Sequence, residues 1–175
     1  LMDLVGIDQR LMYSFPHEMD GGRRQRVGIA RALALNPEFI MCDEPVSALD
    51  VSIQAQVLNL LMDLKESQGL AYMFVTHDLS VVRHISENIM VMYLGQAVEK
   101  APTEELFEKT LHPYSKVLLS AIPSIDIDNP MKRIPLKGEI TSPINPKPGC
   151  RFAPRCTYAS DRCFEPQTLE EVCPG

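Results

Sequence analysis

The sequence predicts an α/β fold built on parallel strands, followed by an irregular extension rich in proline and cysteine. An apolar segment at 38–43, an amphipathic helical pattern at 51–67 and a second apolar segment at 70–75 have the lengths of a parallel strand–helix–strand unit. Two adjacent carboxylates, Asp43 and Glu44, stand at the end of the first segment, and open parallel sheets bind ligands at that edge. Both apolar segments are predicted to be buried strands.

The residues before the first strand are predicted to be helical. Residues 1–5 place their apolar side chains on one helical face, and Gly6 is positioned to end that helix. A second helical pattern occupies 23–35 and stops at Asn36-Pro37, because a residue before proline is disfavoured in the helical conformation.

After the second strand the chain is predicted to continue with short elements and then an extension. Two strands flank Gly95, which suits a tight turn. Proline, aspartate and asparagine dominate 123–148, which we interpret as a linker lying on a surface. The other predicted elements are a helix at 79–86, strands at 89–94 and 96–100, and helices at 103–110 and 113–121.

The composition is that of an ordinary globular protein. Apolar residues make up 45% of the chain and charged residues 23%, so disorder is not the default interpretation. The net charge of −6 argues against broad nucleic-acid binding, which usually needs a basic face. We expect no membrane span, because no apolar run approaches the roughly 18 residues required, and we expect no signal peptide in these residues.

Acidic and imidazole side chains are predicted to share one edge of the sheet. His77 follows the second strand as Asp43 and Glu44 follow the first, and neighbouring parallel strands end at the same edge. There Asp43 would hold Mg²⁺, which prefers hard oxygen ligands, and Glu44 would act as a general base towards water. An Asp-Glu pair alone is more often a solvated turn, but a histidine on the same edge favours a site.

A glycine pair marks a second candidate site. Gly21 and Gly22 precede a helix whose first turns carry Arg23, Arg24 and Arg26. The free N–H groups of a helix N-terminus bind anions, and glycine lets the backbone approach a phosphate closely. Glycine pairs are usually only turns, but the arginines that follow favour an anion site.

Taken in order, these segments resemble the ABC ATPase family. Residues 17–26 (HEMDGGRRQR) look like its signature motif, residues 42–45 like the end of Walker B, residues 47–50 like the D-loop, and His77 like the switch histidine. The resemblance implies a partial P-loop NTPase-like ABC ATPase core that uses ATP and Mg²⁺. The implied site residues are catalytic Glu44 and His77, the Mg²⁺ ligand Asp43, the signature residues Asp20, Gly21, Gly22 and Arg23 against the ATP of the opposite subunit, and Ser47 and Asp50 of the D-loop.

The resemblance narrows to the oligopeptide and dipeptide importers. Residues 43–56, 91–95, 111–114 and 142–146 are close to that group, and the likeness to its second ATP-binding subunit covers 1–173. It implies a heterodimer with a related ATP-binding subunit, two membrane-spanning permease subunits, an indirect peptide-binding protein and no nucleic acid. It also implies a location at the cytoplasmic face of the cell membrane.

Two departures from the family pattern matter. Residues 1–175 contain neither a P-loop of the form G-x-x-x-x-G-K-[ST] nor the glutamine loop, so we expect the C-terminal portion of a subunit that is inactive by itself. Asp20 stands where the family has serine. An ionised carboxylate cannot donate a hydrogen bond to a phosphate and repels it, so we expect this composite ATP site to be weakened.

Four cysteines, Cys150, Cys156, Cys163 and Cys173, lie close together in sequence, whereas Cys42 lies alone in an apolar run and is predicted to be a core residue. From the residues, metal ligation and free thiols both remain open, and no C-x2-C pair supports a zinc ribbon. The resemblance implies a [4Fe–4S] cluster, with zinc as the alternative.

We predict four parts: 1–36 with the signature motif and its helix, 37–100 with Walker B, D-loop and switch histidine, 101–149 with helices and linker, and 150–175 with the cysteines. Two rival functions remain open. One is a soluble ABC-type ATPase acting on nucleic acid or ribosomes, and the other is a non-catalytic metal-binding fragment.

Overall fold

The computed structural model describes residues 1–122, 133–139, 142 and 144–173. The chain divides into two compact units, Leu1–Asp78 and Leu79–Gly175. The predicted linker at 123–148 lies partly outside the described residues, and its described part contains no helix or strand.

The first unit contains the predicted parallel strand–helix–strand arrangement. Strand β1 (Phe39–Asp43) pairs in parallel with β2 (Ala71–Val75), from Phe39 opposite Ala71 to Asp43 opposite Val75. Helix α1 (Gly21–Leu33) precedes β1, and helix α2 (Val51–Gln68) connects the two strands. The parallel pairing and the connecting helix are therefore as predicted.

Glycine ends the first helical turn of this unit. A single 3₁₀ turn, Asp3–Val5, is followed by Gly6 with a φ of 64°, and the Gly6 N–H donates to Asp3 O. Because only glycine adopts this left-handed conformation without a steric cost, the predicted stop at Gly6 has a physical basis.

The prediction that both strands of the first unit are buried is wrong. Among the residues of β1 and β2 only Cys42 is buried, while Phe39 is 55% exposed and Met41 57% exposed. The physical reason is that successive side chains of a strand point to opposite faces, and Met41, Met73 and Val75 share with Phe39 the face that is exposed in the described residues. The buried apolar residues of the unit lie mainly on the helices and loops: Val5, Ile7, Ile29, Leu33, Val46, Val57, Leu58, Leu61, Leu64 and Leu70.

The second unit begins with helix α3 (Leu79–Ile85) and an antiparallel hairpin of β3 (Asn88–Tyr93) and β4 (Gln96–Pro102). Leu94 and Gly95 connect the strands with φ angles of 48° and 75°. Two positive φ angles are the requirement of the tight hairpin turns whose twist matches that of the strands. The turn predicted at Gly95 is thus present.

Two further helices, α4 (Thr103–Glu108) and α5 (Pro113–Ser120), complete the regular part of this unit. Ile89, Val91 and Leu106 form its buried apolar cluster. The buried carboxylate of Glu99 accepts hydrogen bonds from the backbone N–H groups of Leu111, at 2.7 Å, and His112, at 3.1 Å. A strand residue thereby holds the segment that starts α5.

The cysteine segment packs against the hairpin through an aromatic residue. Phe152 is 2% exposed, and its ring centroid lies 5.3 Å from those of both Tyr93 and Tyr114. The Arg151 N–H donates to Gln96 Oε1 at 3.1 Å, and the Arg151 guanidinium donates to Leu94 O. Within the described part of the chain, no helix combines the length and the apolar character needed to cross a membrane.

Candidate functional site

The carboxyl ends of β1 and β2 bring the predicted acidic and imidazole side chains together. Glu44 follows β1 directly, and its N–H donates to Val75 O at 2.8 Å, which extends the strand pairing by one hydrogen bond. His77 Nδ1 lies 3.2 Å from Glu44 Oε1, within hydrogen-bond distance. Both side chains are open to solvent, with 75% of His77 and 51% of Glu44 exposed. A substrate can therefore reach this pair.

Glu44 has an unusual backbone conformation. Its φ is 44°, in the left-handed region that residues with a side chain seldom adopt. Such a conformation costs on the order of 1 kcal/mol and persists only where surrounding contacts hold it. Here both the N–H and the Oγ of Ser47 donate to Glu44 O, at 3.3 and 3.2 Å. These two hydrogen bonds stabilise the turn from which the Glu44 carboxylate contacts His77.

Asp43 and Asp50 occupy different positions on the loop between β1 and α2. Asp43 is the last residue of β1 and is exposed. Asp50 is the N-cap of α2, and its Oδ1 accepts from the Ile53 N–H at 3.0 Å. Mg²⁺ bound together with a nucleotide needs only one or two protein carboxylates, so the exposed Asp43 fits such an ion. Asp50 has a helix-capping role in this structure.

The glycine-containing segment starts α1, as predicted, although the helix begins two residues earlier than the predicted start at Arg23. Asp20 is the N-cap, and its Oδ1 accepts from the Arg23 N–H at 2.8 Å. The Arg23 Nε lies 3.3 Å from Asp20 Oδ2, in an ion pair with 52% and 58% of the two side chains exposed. The ion pair places the positive charge of Arg23 beside the Asp20 carboxylate, but exposure to solvent keeps the interaction weak.

Both glycines of this segment make close contacts with the loop and helix that follow β1. A Cβ atom on Gly21 would lie 3.0 Å from Leu49 Cδ2, and one on Gly22 would lie 2.5 Å from Ile53 Cγ2. Neither glycine has a positive φ, so the space rather than the backbone conformation requires them. The start of α1 thus packs tightly against Leu49, in the loop after β1, and against the first turn of α2.

Comparison with known proteins decides the family. A sequence model of the family described as "ABC transporter" matches residues 1–47, and one described as "Oligopeptide/dipeptide transporter, C-terminal region" matches residues 98–163. The chain is 52% identical over its whole length to the dipeptide transport ATP-binding protein DppF of Haemophilus influenzae. It is 51% identical over 98% of its length to the oligopeptide transport ATP-binding protein OppF of Salmonella typhimurium. This chain belongs to the oligopeptide/dipeptide group of ABC transporter ATP-binding proteins.

Solved structures agree with this assignment. The chain resembles an ATP-binding cassette described as a dimeric post-hydrolysis state bound to ADP and Pi. The identity is 34% and the TM-score 0.52, and the match covers 58% of this chain and 44% of the other. An inward-facing transporter of metal-chelate type gives 33% identity and a TM-score of 0.56, covering 60% of this chain and 41% of the other. The predicted α/β ABC ATPase fold with parallel strands is therefore confirmed.

The chain spans about half the length of the curated relatives it matches, namely 54% of the H. influenzae protein and 52% of the S. typhimurium protein. The likeness to these relatives extends over both compact units. It includes the site residues of the first unit and the cysteine segment of the second.

The four cysteines near the C-terminus do not form the predicted cluster in the described residues. No group of three or more His, Cys, Asp or Glu side chains there is arranged to hold a metal ion. Instead, Cys156 Sγ accepts from the Tyr158 N–H at 3.3 Å, and Cys163 Sγ lies 3.7 Å from Ser160 Oγ. Hydrogen bonds from Ser160 lower the pKa of Cys163. The thiols thus bond to separate neighbours, which does not fit a shared cluster.

Two other cysteine environments are defined. Cys42 is 7% exposed, and burial raises its pKa to about 11, so it is a neutral core thiol as predicted. Cys150 Sγ lies 3.9 Å from His112 Nε2. Because His112 Nδ1 accepts from the Tyr114 N–H, the neutral ring carries its hydrogen on Nε2 and directs it at the sulfur.

Sequence reasoning missed one contact near the candidate site. The amide of Gln54, in the first turns of α2, donates to the carboxylate of Asp78 at 3.4 Å. Asp78 directly follows His77. No signal in the sequence pairs these residues, because the contact depends on where α2 starts relative to the end of β2.

Proposed function

We propose that this chain is part of an ATP-hydrolysing subunit that energises the import of dipeptides or oligopeptides. The observation that carries the proposal is the contact between Glu44 and His77 at the carboxyl edge of β1 and β2. A carboxylate held beside the water-accessible end of a parallel sheet can accept a proton from an attacking water. The names of the relatives, which are dipeptide and oligopeptide transport ATP-binding proteins, support the substrate class.

In this proposal each side chain at the edge has its own role. Asp43 holds Mg²⁺, Glu44 takes the proton from water, and His77 orients the Glu44 carboxylate and bonds to a phosphate oxygen. Bound ATP and Mg²⁺ supply the phosphoryl group and the charge that neutralises its oxygens. The chain contributes positioning and electrostatics, which account for most of the catalysis in phosphoryl transfer.

The signature segment faces a different nucleotide. Free N–H groups at the N-terminus of α1, together with Arg23, suit the phosphates of an ATP molecule bound by a second subunit. The contacts of Gly21 and Gly22 with Leu49 and Ile53 support a link between this segment and the D-loop. In the proposal, Ser47 and Asp50 set the shape of the D-loop, Ser47 through Glu44 O and Asp50 by capping α2.

The partners follow from the same proposal. A second, related ATP-binding subunit completes a heterodimer. Closure of this heterodimer on ATP changes the conformation of two membrane-spanning permease subunits. A peptide-binding protein delivers the substrate to them from outside the membrane. The chain would then lie at the cytoplasmic face of the membrane. Contact with nucleic acid is not part of the proposal, in keeping with the net charge of −6.

Metal binding by Cys150, Cys156, Cys163 and Cys173 is a separate proposal, with a [4Fe–4S] cluster first and zinc second. Its support is the presence of four thiols within one short segment, three of which lie in the part of the chain that matches the family's C-terminal region. The described side-chain positions do not favour it. Iron, sulfide and zinc contents of anaerobically purified protein test it without reference to ATPase activity.

ATP hydrolysis tests the main proposal. The complete subunit, assembled with a second ATP-binding subunit, is expected to hydrolyse ATP, whereas residues 1–175 alone are expected not to, because they contain no P-loop. Replacing Glu44 with Gln is expected to lower turnover by roughly 10²–10⁴-fold, the usual worth of a general base. ATP affinity should persist, since Glu44→Gln removes a proton acceptor and leaves the phosphate contacts.

Glu66→Gln is the matched control, because Glu66 is an exposed carboxylate near the C-terminal end of α2, whereas Glu44 follows the carboxyl end of β1. Its turnover should equal that of the unsubstituted assembly. Turnover by Glu44→Gln at the unsubstituted rate would contradict the role of Glu44, and hydrolysis by residues 1–175 alone would contradict the division of roles between segments.

A further inference from the structure

The loop that carries His77 is held from two sides. Locally, the Asp78 N–H donates to Thr76 Oγ1 at 3.1 Å, which closes a turn around His77. On the other side, the Gln54 side-chain amide donates to Asp78 Oδ2 at 3.4 Å. Thr76, Asp78 and Gln54 are all half-buried, whereas His77 is exposed. The histidine thus depends on its neighbours, more than on its own packing, for a defined position.

Gln54 belongs to a part of α2 whose position is itself well determined. Its N–H donates to Asp50 O at 2.8 Å, and the Asp50 side chain caps the helix through the Ile53 N–H. Ile53 in turn lies against Gly22 of the tightly packed α1. The amide of Gln54 therefore extends from a fixed helix start towards the loop after β2.

We propose that Gln54 is a positioning residue for the reaction. Through Asp78 it holds the loop so that His77 Nδ1 stays within hydrogen-bond distance of Glu44 Oε1, and it links that geometry to the helix that follows the D-loop. The contact is long for a hydrogen bond, but both side chains are half-buried, which limits competition from water. This inference rests on the proposed ATPase function and adds a residue to it.

The first test measures ATP hydrolysis by the complete subunit assembled with its partner ATPase subunit. Gln54→Ala removes the donor and is expected to lower kcat about tenfold, because a misplacement of about 1 Å can cost about 10²-fold and a loosened loop should displace His77 by less. KM for ATP should change by less than about twofold, since Gln54 lies away from any phosphate contact in the proposal. Gln54→Arg keeps N–H donors towards Asp78 and should restore most of the rate.

Gln56→Ala is the matched control, because Gln56 is an exposed glutamine two residues further along the same helix. It should leave kcat unchanged. A Gln54→Ala variant that keeps the full kcat would overturn the inference while the proposed function stands. Equal losses in Gln54→Ala and Gln54→Arg would overturn it as well, because they would indicate a packing role for the glutamine rather than a donor role.

A second readout does not depend on turnover. The ring ¹H and ¹⁵N resonances of His77, assigned with a His77→Gln variant, report whether the imidazole stays against Glu44. Gln54→Ala should shift or broaden these resonances, and Gln54→Arg should bring them back. Unchanged His77 resonances in Gln54→Ala would overturn the inference, even if the unsubstituted assembly hydrolyses no ATP and the proposed function fails.

Discussion

The strands of the two units differ in what their side chains contact. In β3 every second residue, Ile89, Val91 and Tyr93, is buried, and the intervening residues are exposed. In β1 and β2 the alternation leads to one buried residue, Cys42, and the apolar Phe39 and Met41 are more than half exposed. The second unit therefore covers one face of its own sheet, whereas the sheet of the first unit is largely open.

The candidate catalytic residues and the best-packed apolar residues thus lie in different units. The candidate catalytic residues sit at the end of the open sheet, held by turns, caps and side-chain hydrogen bonds. The second unit instead carries an apolar cluster on β3 and a buried aromatic anchor, Phe152, on the cysteine segment. Substitutions in the two units should consequently fail in different ways, and the following predictions use that difference.

The largest expected effect falls on the second unit. Phe152→Ala removes a ring that is 2% exposed and in contact with Tyr93 and Tyr114. Truncating a buried phenylalanine costs roughly 3–5 kcal/mol, from lost apolar burial and the cavity that remains. Amide hydrogen exchange in β3 and α5 is expected to report a fall of that size in the free energy of opening.

Phe164→Ala is the control in the same segment. Phe164 is 52% exposed, so its loss should cost less than about 1 kcal/mol. If both substitutions had equally small effects, Phe152 would not anchor the cysteine segment to the hairpin, which would contradict the prediction.

The next effect falls on the first unit. Gly22→Ala would place a Cβ 2.5 Å from Ile53 Cγ2, a methyl group on a branched carbon that cannot simply rotate away. Overpacking of this kind costs about 1–3 kcal/mol. The expected result is a lower free energy of unfolding, measured by urea denaturation and by hydrogen exchange in α1 and α2.

Gly28→Ala sharpens the comparison, because Gly28 lies in the same helix with nothing within 4 Å of an added Cβ. Alanine should stabilise the helix there by about 0.5–1 kcal/mol. Opposite signs for the two substitutions would identify packing against α2 as the reason for Gly22. Destabilisation by both would point to the backbone of α1 instead.

Much of this architecture could be predicted from spacing alone. Parallel strands with a connecting helix place residues that follow each strand at one edge, and Glu44 and His77 meet there as expected. The exposure of Phe39 and Met41 could not be predicted, because an apolar run states what a strand can bury and not whether a neighbour is present. The amide of Gln54 meets Asp78 through tertiary placement, which has no signature in local sequence.

The positions of the cysteine side chains could not be predicted from the sequence either. Four thiols within a short stretch allow many arrangements. The sequence does not indicate which neighbouring groups will bond to each sulfur. In the structure Tyr158, Ser160 and His112 each lie against a different cysteine. The buried Glu99, which binds two N–H groups ahead of α5, was equally invisible, because a lone glutamate in a strand is usually solvated.

The smallest predicted change in stability accompanies an informative change in activity. Asp20→Ser keeps an N-cap for α1, since serine and aspartate cap helices about equally well, so the free energy of unfolding should change by less than about 0.5 kcal/mol. The serine hydroxyl can donate to a phosphate, while the ionised Asp20 carboxylate repels one and occupies Arg23. One charge-assisted hydrogen bond is worth roughly 1.5–3 kcal/mol, so ATP turnover of the complete pair should rise about tenfold. Asp20→Asn, which removes the charge and keeps the cap, separates repulsion from hydrogen bonding. An unchanged rate in Asp20→Ser would mean that the start of α1 does not meet a phosphate during turnover, and the open edge at Glu44 would then carry the chemistry without it.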